Sequence, residues 1–349
     1  MVVAATSATF AGSPGKAPVP NLLPPEEPVF GRATLGGKFS DDLQSGYLDA
    51  VLGLSVNDNH ALFLNLRGTL DDSDQEIFNA GLGFRVLLED PGIILGANAY
   101  YDYINSSAGN QFNQFGFGAE VLSKWVDARF NYYLPEDGAK SSGSVTRSTT
   151  RRIKGDRVRQ GNRIVQEYFR ETTTTRIDYF EVALQGWNAE VGFLVPGIEK
   201  FVELRLFAGA YGYDNPVGGD FEGVKARAEA RLTDWLTLDF EYWDDKELVG
   251  GNWVAGFRVS HPFDLGALLS GQNPFRKGPP AADIPSSRSL RDRMDEMVIR
   301  SHRIYTTGSS PSSNTSSSEE FDGSETVGSV APPPPPPPPA GGEEPPSEG

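Results

Sequence analysis

The side chains in this sequence that could do chemistry stand at every second position. Lys225, Arg227, Glu229 and Arg231 alternate with Val224, Ala226, Ala228, Ala230 and Leu232. The same spacing sets Glu203 and Arg205, then Asp239 and Glu241, on the polar side of neighbouring apolar runs. A period of two is that of a β-strand, whose successive side chains point to opposite faces. Arg85, Glu120, Asp127, Arg129 and Arg258 fall on the polar side of further runs by the same rule. A face of mixed charge suits ion pairing across a strand ladder, at about 0.2–1 kcal/mol per opposite pair. It also suits electrostatic guidance, a basic stripe leading an acidic or polar segment through a wet interior.

Nothing in the pattern suits turnover. His60, His261 and His302 are widely separated, so neither a metal site nor a nucleophilic triad has support. Asp71, Asp72 and Asp74 lack the spacing and closing glutamate of a calcium loop and read as a hydrated acidic loop. Asp239 and Glu241 have no partner constellation. No enzyme activity, metal or cofactor is expected. The net charge of −16 disfavours nucleic acid as a partner, and the absence of cysteine excludes disulfides and thiolate ligands.

The elements that must hold these charges are runs of alternating polarity at 30–40, 46–57, 60–70, 75–88, 91–103, 110–122, 125–135, 177–194, 200–213, 221–232, 235–244 and 251–261. No run reaches the roughly 18 apolar residues that a spanning helix needs. A barrel in lipid turns the apolar face outward; a soluble carbohydrate-binding sandwich turns it inward. Alternation alone does not choose between them, and turn length supplies an independent check. With the N-terminus in the periplasm, the inner turns (56–59, 89–92, 123–124, 196–200, 233–234) are short and the outer connections mostly longer and richer in Gly and Asp, as in outer-membrane barrels. The expected fold is therefore all-β, a twelve-stranded antiparallel transmembrane β-barrel over 30–263, monomeric, in the bacterial outer membrane. Aromatics near run ends, including Trp125, Tyr132, Tyr133, Tyr211, Tyr213, Trp235, Tyr242, Trp243 and Trp253, read as interfacial girdles.

Apolar parity shifts within 177–194, which predicts a β-bulge near 186–188. The insertion at 136–176 reads as a projecting extracellular hairpin with a turn at 160–162. Its basic cluster, Arg151, Arg152, Lys154, Arg157, Arg159 and Arg163, suggests contact with lipopolysaccharide or another polyanion, or else a solvated loop. After the barrel, Leu290, Met294, Met297 and Val298 stand at helical spacing, so a short helix is expected in a linker over 264–305. Residues 306–349, rich in Ser, Gly, Glu and Pro with eight consecutive prolines, are expected to be a disordered tail. The lead-in over 1–29 is Pro-rich, lacks a basic region before its apolar stretch, and is expected to continue a start that lies upstream, or to be a signal remnant.

The stretch GANAYYDY from Gly96, followed by FGFGAEVLSKWVDARFNYYLP to Pro135, resembles the translocator barrel of the intimin/invasin family, the inverse autotransporters. GWNAEVGFLVPG at 186–197 and TDWLTLDFEYWDD at 233–245 resemble later strands of that barrel. Arg293, Met294, Glu296, Val298 and Arg300 resemble its post-barrel linker. The resemblance implies a twelve-stranded barrel with a periplasmic N-terminus and a linker that threads the lumen to bring a C-terminal passenger to the surface. No peptidoglycan-binding module or immunoglobulin-like repeat is present in the sequence, so host adhesion does not transfer. Outer-membrane lipid, lipopolysaccharide and the barrel assembly machinery are the expected partners. The aromatic-ended run to Phe263 is similar to the signal that machinery reads. A porin-like or structural barrel with no secreted passenger is the alternative.

Overall fold

Alternation becomes a closed barrel in the computed structural model, which describes residues 30–275, 288–331 and 334–335, apart from 58, 137, 246, 247, 249–251, 309 and 310. The lead-in over 1–29 and most of the proline run lie outside the described residues. The first seven strands are β1 (Phe30–Phe39), β2 (Gln44–Val56), β3 (His60–Asp71), β4 (Glu76–Leu88), β5 (Ile93–Asn105), β6 (Gln111–Ser123) and β7 (Val126–Pro135). A long hairpin follows, β8 (Lys140–Gln160) and β9 (Arg163–Ala183). The wall resumes with β10 (Gln185–Leu194), β11 (Glu203–Asp214), β12 (Phe221–Arg231), β13 (Leu236–Trp243) and β14 (Trp253–Asp264). Each wall strand pairs antiparallel with its neighbours, β7 with β10, and β14 closes onto β1 from Phe30↔Asp264 to Phe39↔Ala255. The wall thus has twelve strands.

The barrel is inside out relative to a soluble protein. On β4, Phe78, Leu82 and Phe84 project outward, while Asn79 and Arg85 are buried in the lumen, Arg85 at 1% exposure. Leu35, Leu48, Phe117, Phe130, Val191, Val224 and Phe240 continue the outer apolar surface. A soluble sandwich would bury these side chains and expose the charges, so that reading is excluded. Apolar groups facing lipid and a closed hydrogen-bonded ladder are what the bilayer interior permits. Among the described residues no helix is long and apolar enough to cross a membrane; strands do the crossing.

Three expectations are corrected. The parity shift near 186–188 is not a bulge, because β10 pairs with β7 and β11 without a register shift. Instead the chain breaks at Leu184, where β9 leaves the second sheet and β10 enters the wall, so the inserted hairpin reaches 183 rather than 176. The helix expected from the spacing of Leu290, Met294, Met297 and Val298 is only a 3-10 turn at Arg291–Arg293; a separate short helix, α1 (Leu265–Leu269), follows β14. The tail is not disordered throughout: β15 (Thr306–Gly308) and β16 (Ser312–Ser329) pair with β9. Its low apolar content gives it no core of its own, and the ladder of β9 supplies the order.

Parity also divides the aromatics. Trp125 lies outside at the short-turn end, and Tyr132, Tyr242 and Trp253 lie on the outer surface toward the long loops, Trp253 donating its indole N–H to Asp41 at 3.1 Å. Trp235 stands in a short turn beside a lumen cavity. Tyr133, Tyr211, Tyr213 and Trp243 point inward and form a buried cluster, which removes them from the girdle.

The outer apolar surface generates a depth test. Leu82→Arg, at the centre of β4, should destabilise the lipid-folded barrel by about 2–4 kcal/mol in a urea titration, and Leu70→Arg near a strand end by about 0–1 kcal/mol. Equal losses would contradict the assigned span.

Candidate functional site

The lumen is lined by charge because alternation puts every second residue there, and lipid excludes charge from the other side. All thirteen expected lumen residues project inward. Glu190 of β10 gathers Arg227 at 2.6 Å, Arg129 at 3.2 Å and Lys225 at 3.6 Å. Arg258 spans Glu229 at 2.9 Å and Asp239 at 3.0 Å, and Glu241 meets Lys38 at 3.1 Å. Glu203 takes Arg231 at 2.9 Å and Arg205 at 3.2 Å; Arg205 also approaches Asp127 at 3.4 Å, and Arg85 meets Glu120 at 2.6 Å. Glu203–Arg231 and Glu190–Arg129 are direct partners in the strand register, whereas Arg227–Glu190, Arg258–Glu229 and Arg258–Asp239 reach past their direct partners. Among the described residues no cluster of His, Cys, Asp or Glu could hold a metal ion.

Through this lumen runs the chain itself, from Arg288 to Tyr305. At the short-turn end Arg288 donates to Glu203 at 2.6 Å and Arg291 to Glu89 at 2.9 Å. Arg293 forms a two-pronged fork on Asp127 at 2.9 and 2.8 Å and also reaches the Ser123 carbonyl at 2.6 Å. From the wall, Arg85 donates to the carbonyls of Met294 and Glu296, and Arg32 pairs with Asp295 at 2.7 Å. Midway, Arg300 makes a second fork on Asp102 at 2.8 and 2.6 Å, with its guanidinium 4.3 Å from the Tyr100 ring centre. Gly116 makes room there, since a methyl group on it would collide with that guanidinium. At the long-loop end Arg303 meets Asp71 at 3.2 Å and Gln75 at 2.8 Å, and Tyr305 packs edge-on to Tyr213. Met294 and Val298 fill an apolar patch with Phe63, Leu87, Ile94 and Leu122, and Ile304 another with Ile77, Ile104 and Phe112.

Polarity reverses the expected guidance. The linker brings arginines and the wall receives most of them on carboxylates, so the strongest contacts are acidic wall to basic linker. Planar guanidinium and carboxylate match in such forks, which fix position as well as charge. Asp49, Arg67, Asp102 and Glu190 were not singled out from the sequence although they obey the same alternation. Arg67 lies against the Tyr47 ring and meets His302 at 3.1 Å, so His302 belongs to the linker's polar contacts.

The basic insertion lies elsewhere. The six cations selected there are exposed on β8 and the start of β9, about 70 Å of strand at about 3.3 Å per residue over the 21 residues of each. Arg151 pairs with Glu171 at 2.5 Å and Arg152 with Asp322 of β16 at 2.9 Å; Arg157 bonds Gln166, and Arg159 the Gly161 carbonyl. The hairpin turns through Gly161 and Asn162, with Gly161 at φ +64°. Lys154 and Arg163 project into solvent.

Breaking one fork leaves a buried charge. Asp102→Ala should destabilise the barrel by about 3–5 kcal/mol, and adding Arg300→Met should recover part of that loss. Simple additivity in the double-mutant cycle would show the two groups uncoupled.

A solved chain from work on the mechanism of in-meso crystallization of membrane proteins is similar over 80% of this chain and 99% of that one, with a TM-score of 0.56 at 15% identity. The translocator domain of the autotransporter NalP from Neisseria meningitidis aligns at 12% identity over 67% of this chain and 86% of that one, with a TM-score of 0.30. The outer membrane protein Omp33 of Acinetobacter baumannii aligns at 11% identity over 68% and 99%, with a TM-score of 0.27. No curated protein matches the sequence. The family model for the inverse autotransporter β-domain matches residues 26–213, more than half of the chain. Together with the closed lipid-facing barrel and the charged lumen it encloses, that match places the chain in the inverse autotransporter β-domain family, a family of outer-membrane translocator barrels.

Proposed function

We propose that this barrel exports its own C-terminal segment, with the short turns in the periplasm and the β8–β9 hairpin at the cell surface. One observation carries the reading: a single pass of chain, Arg288 to Tyr305, enters at the short-turn end and leaves at the long-loop end, held by the forks of Arg293 and Arg300 and, near its exit, by Arg303 on Asp71 and Gln75. A segment that merely plugged the pore from one side would have no reason to emerge at the other. Emergence is marked by the Leu184 amide donating to the Tyr305 carbonyl at 2.9 Å, after which the chain continues as β15 and β16 outside the wall.

Export here needs no nucleotide. Folding of the barrel, with its outer face buried in lipid, supplies the frame, and the forks hold the linker against backsliding once it is seated. The barrel assembly machinery and lipopolysaccharide are the partners this route would use. A solute pore is the second reading, favoured by cavities of about 380 and 150 Å³ that flank the linker.

The sequence has no cysteine, so a single introduced thiol labels without background. Ser318→Cys should react with a membrane-impermeant maleimide in intact cells, while a periplasmic control thiol does not. Reaction only after permeabilisation would contradict export.

A further inference from the structure

The hairpin β8–β9 is in one respect badly made when taken alone. Arg152 of β8 stands directly opposite Arg170 of β9, and like charges facing each other across a ladder are destabilising. The tail resolves this. Asp322 lies at a register shift between Phe321 and Gly323, and its two carboxylate oxygens receive Arg170 at 2.7 Å and Arg152 at 2.9 Å. The shift depends on Gly323, whose φ of +129° favours glycine. Arg152 also approaches Glu325 at 3.5 Å, and Phe321 packs edge-on to Phe169 with ring centres 5.8 Å apart. In the next row Glu319 faces Glu171, whose charge is met by Arg151.

From these contacts we infer that the free edge of β9 is a built-in receiver that captures the exported tail as it leaves the lumen, so that strand pairing biases movement outward. This rests on the export reading above. The occupant is the Ser312–Ser329 segment of the same chain. Its order of emergence matches its order of pairing: Tyr305 exits beside Leu184 at the root of the hairpin, Gly308 pairs with Glu181, Ser312 with Asp178, and Ser329 with Arg163 at the tip. Each newly emerged residue finds its partner one step farther from the membrane. Retreat then requires breaking backbone hydrogen bonds in sequence, which main-chain strand addition makes costly whatever the side chains are. The matched charges fix the register where a Ser- and Thr-rich ladder would slip. The tail carries no packed core in this segment, so β9 takes the part that folding of a passenger domain would otherwise play.

The test follows the rate at which Ser318→Cys becomes reactive to impermeant maleimide after a synthesis pulse, in the full-length protein. Asp322→Arg should slow surface appearance several-fold while the barrel still shows heat-modifiable migration. Reversing the receiver as well, with Arg152→Asp and Arg170→Asp, should restore the rate. Equal rates in all three would overturn the capture and leave export standing. A tail that is never labelled from outside in the parent protein would overturn the export reading itself, and the capture with it. A pair of thiols at Thr175→Cys and Thr315→Cys, where the native hydroxyls are 3.2 Å apart, identifies the occupant under mild oxidation. A disulfide within one chain supports the inference, and one joining two chains would mean that the edge takes a neighbour's tail.

Discussion

Everything in this protein follows from the exclusion of charge and unpaired backbone from hydrocarbon. A wall of strands must close to leave no edge in lipid, and its alternating side chains then divide into an apolar outer face and a lumen filled with ions. Charge concentrated in a narrow space has to be neutralised there. The wall does part of this itself, through Glu190, Glu203, Glu229 and Asp239 and their arginines. Asp127 and Asp102 are answered most closely by the linker, through Arg293 and Arg300. The lumen and the linker are in that sense one electrostatic structure.

The same logic continues outside. The hairpin carries basic residues in a chain of net charge −16, and the tail brings the acidic strand that its Arg152–Arg170 pair lacks. Two segments far apart in sequence, 163–184 and 305–329, thus meet twice: once where Tyr305 exits beside Leu184, and again along β9. The outer sheet has β9 at its centre, with β8 on one edge and the tail on the other.

How much of this could be read beforehand depended on whether the signal was local. The wall strands were legible because each carries its own alternation, as Phe78 to Leu88 does, and turn length gave the two ends. Adjacent aromatics such as Tyr132 and Tyr133 show where reading by position failed: only one of two neighbours on a strand can face lipid, and parity decides which. Asp102 was hidden inside an aromatic run. The linker's helical spacing misled because the forks on Asp127 and Asp102 demand reach. A helix at about 1.5 Å per residue would carry the stretch from Arg291 to Tyr305 only roughly 20 Å, short of an apolar band about 25 Å tall. The β16 strand had no local signal at all; its Ser, Glu and Gly residues become a strand only against the edge of β9, which is a non-local fact.

The central claim is that the linker occupies the lumen as part of its charge balance, and single-channel recording in planar bilayers tests it most directly. The parent barrel should be nearly closed, and Arg293→Ala with Arg300→Ala should open it to a steady, cation-preferring conductance as Asp127 and Asp102 lose their closest counter-charges. A parent barrel that already conducts at the level of the double variant would contradict a seated linker and favour a solute pore.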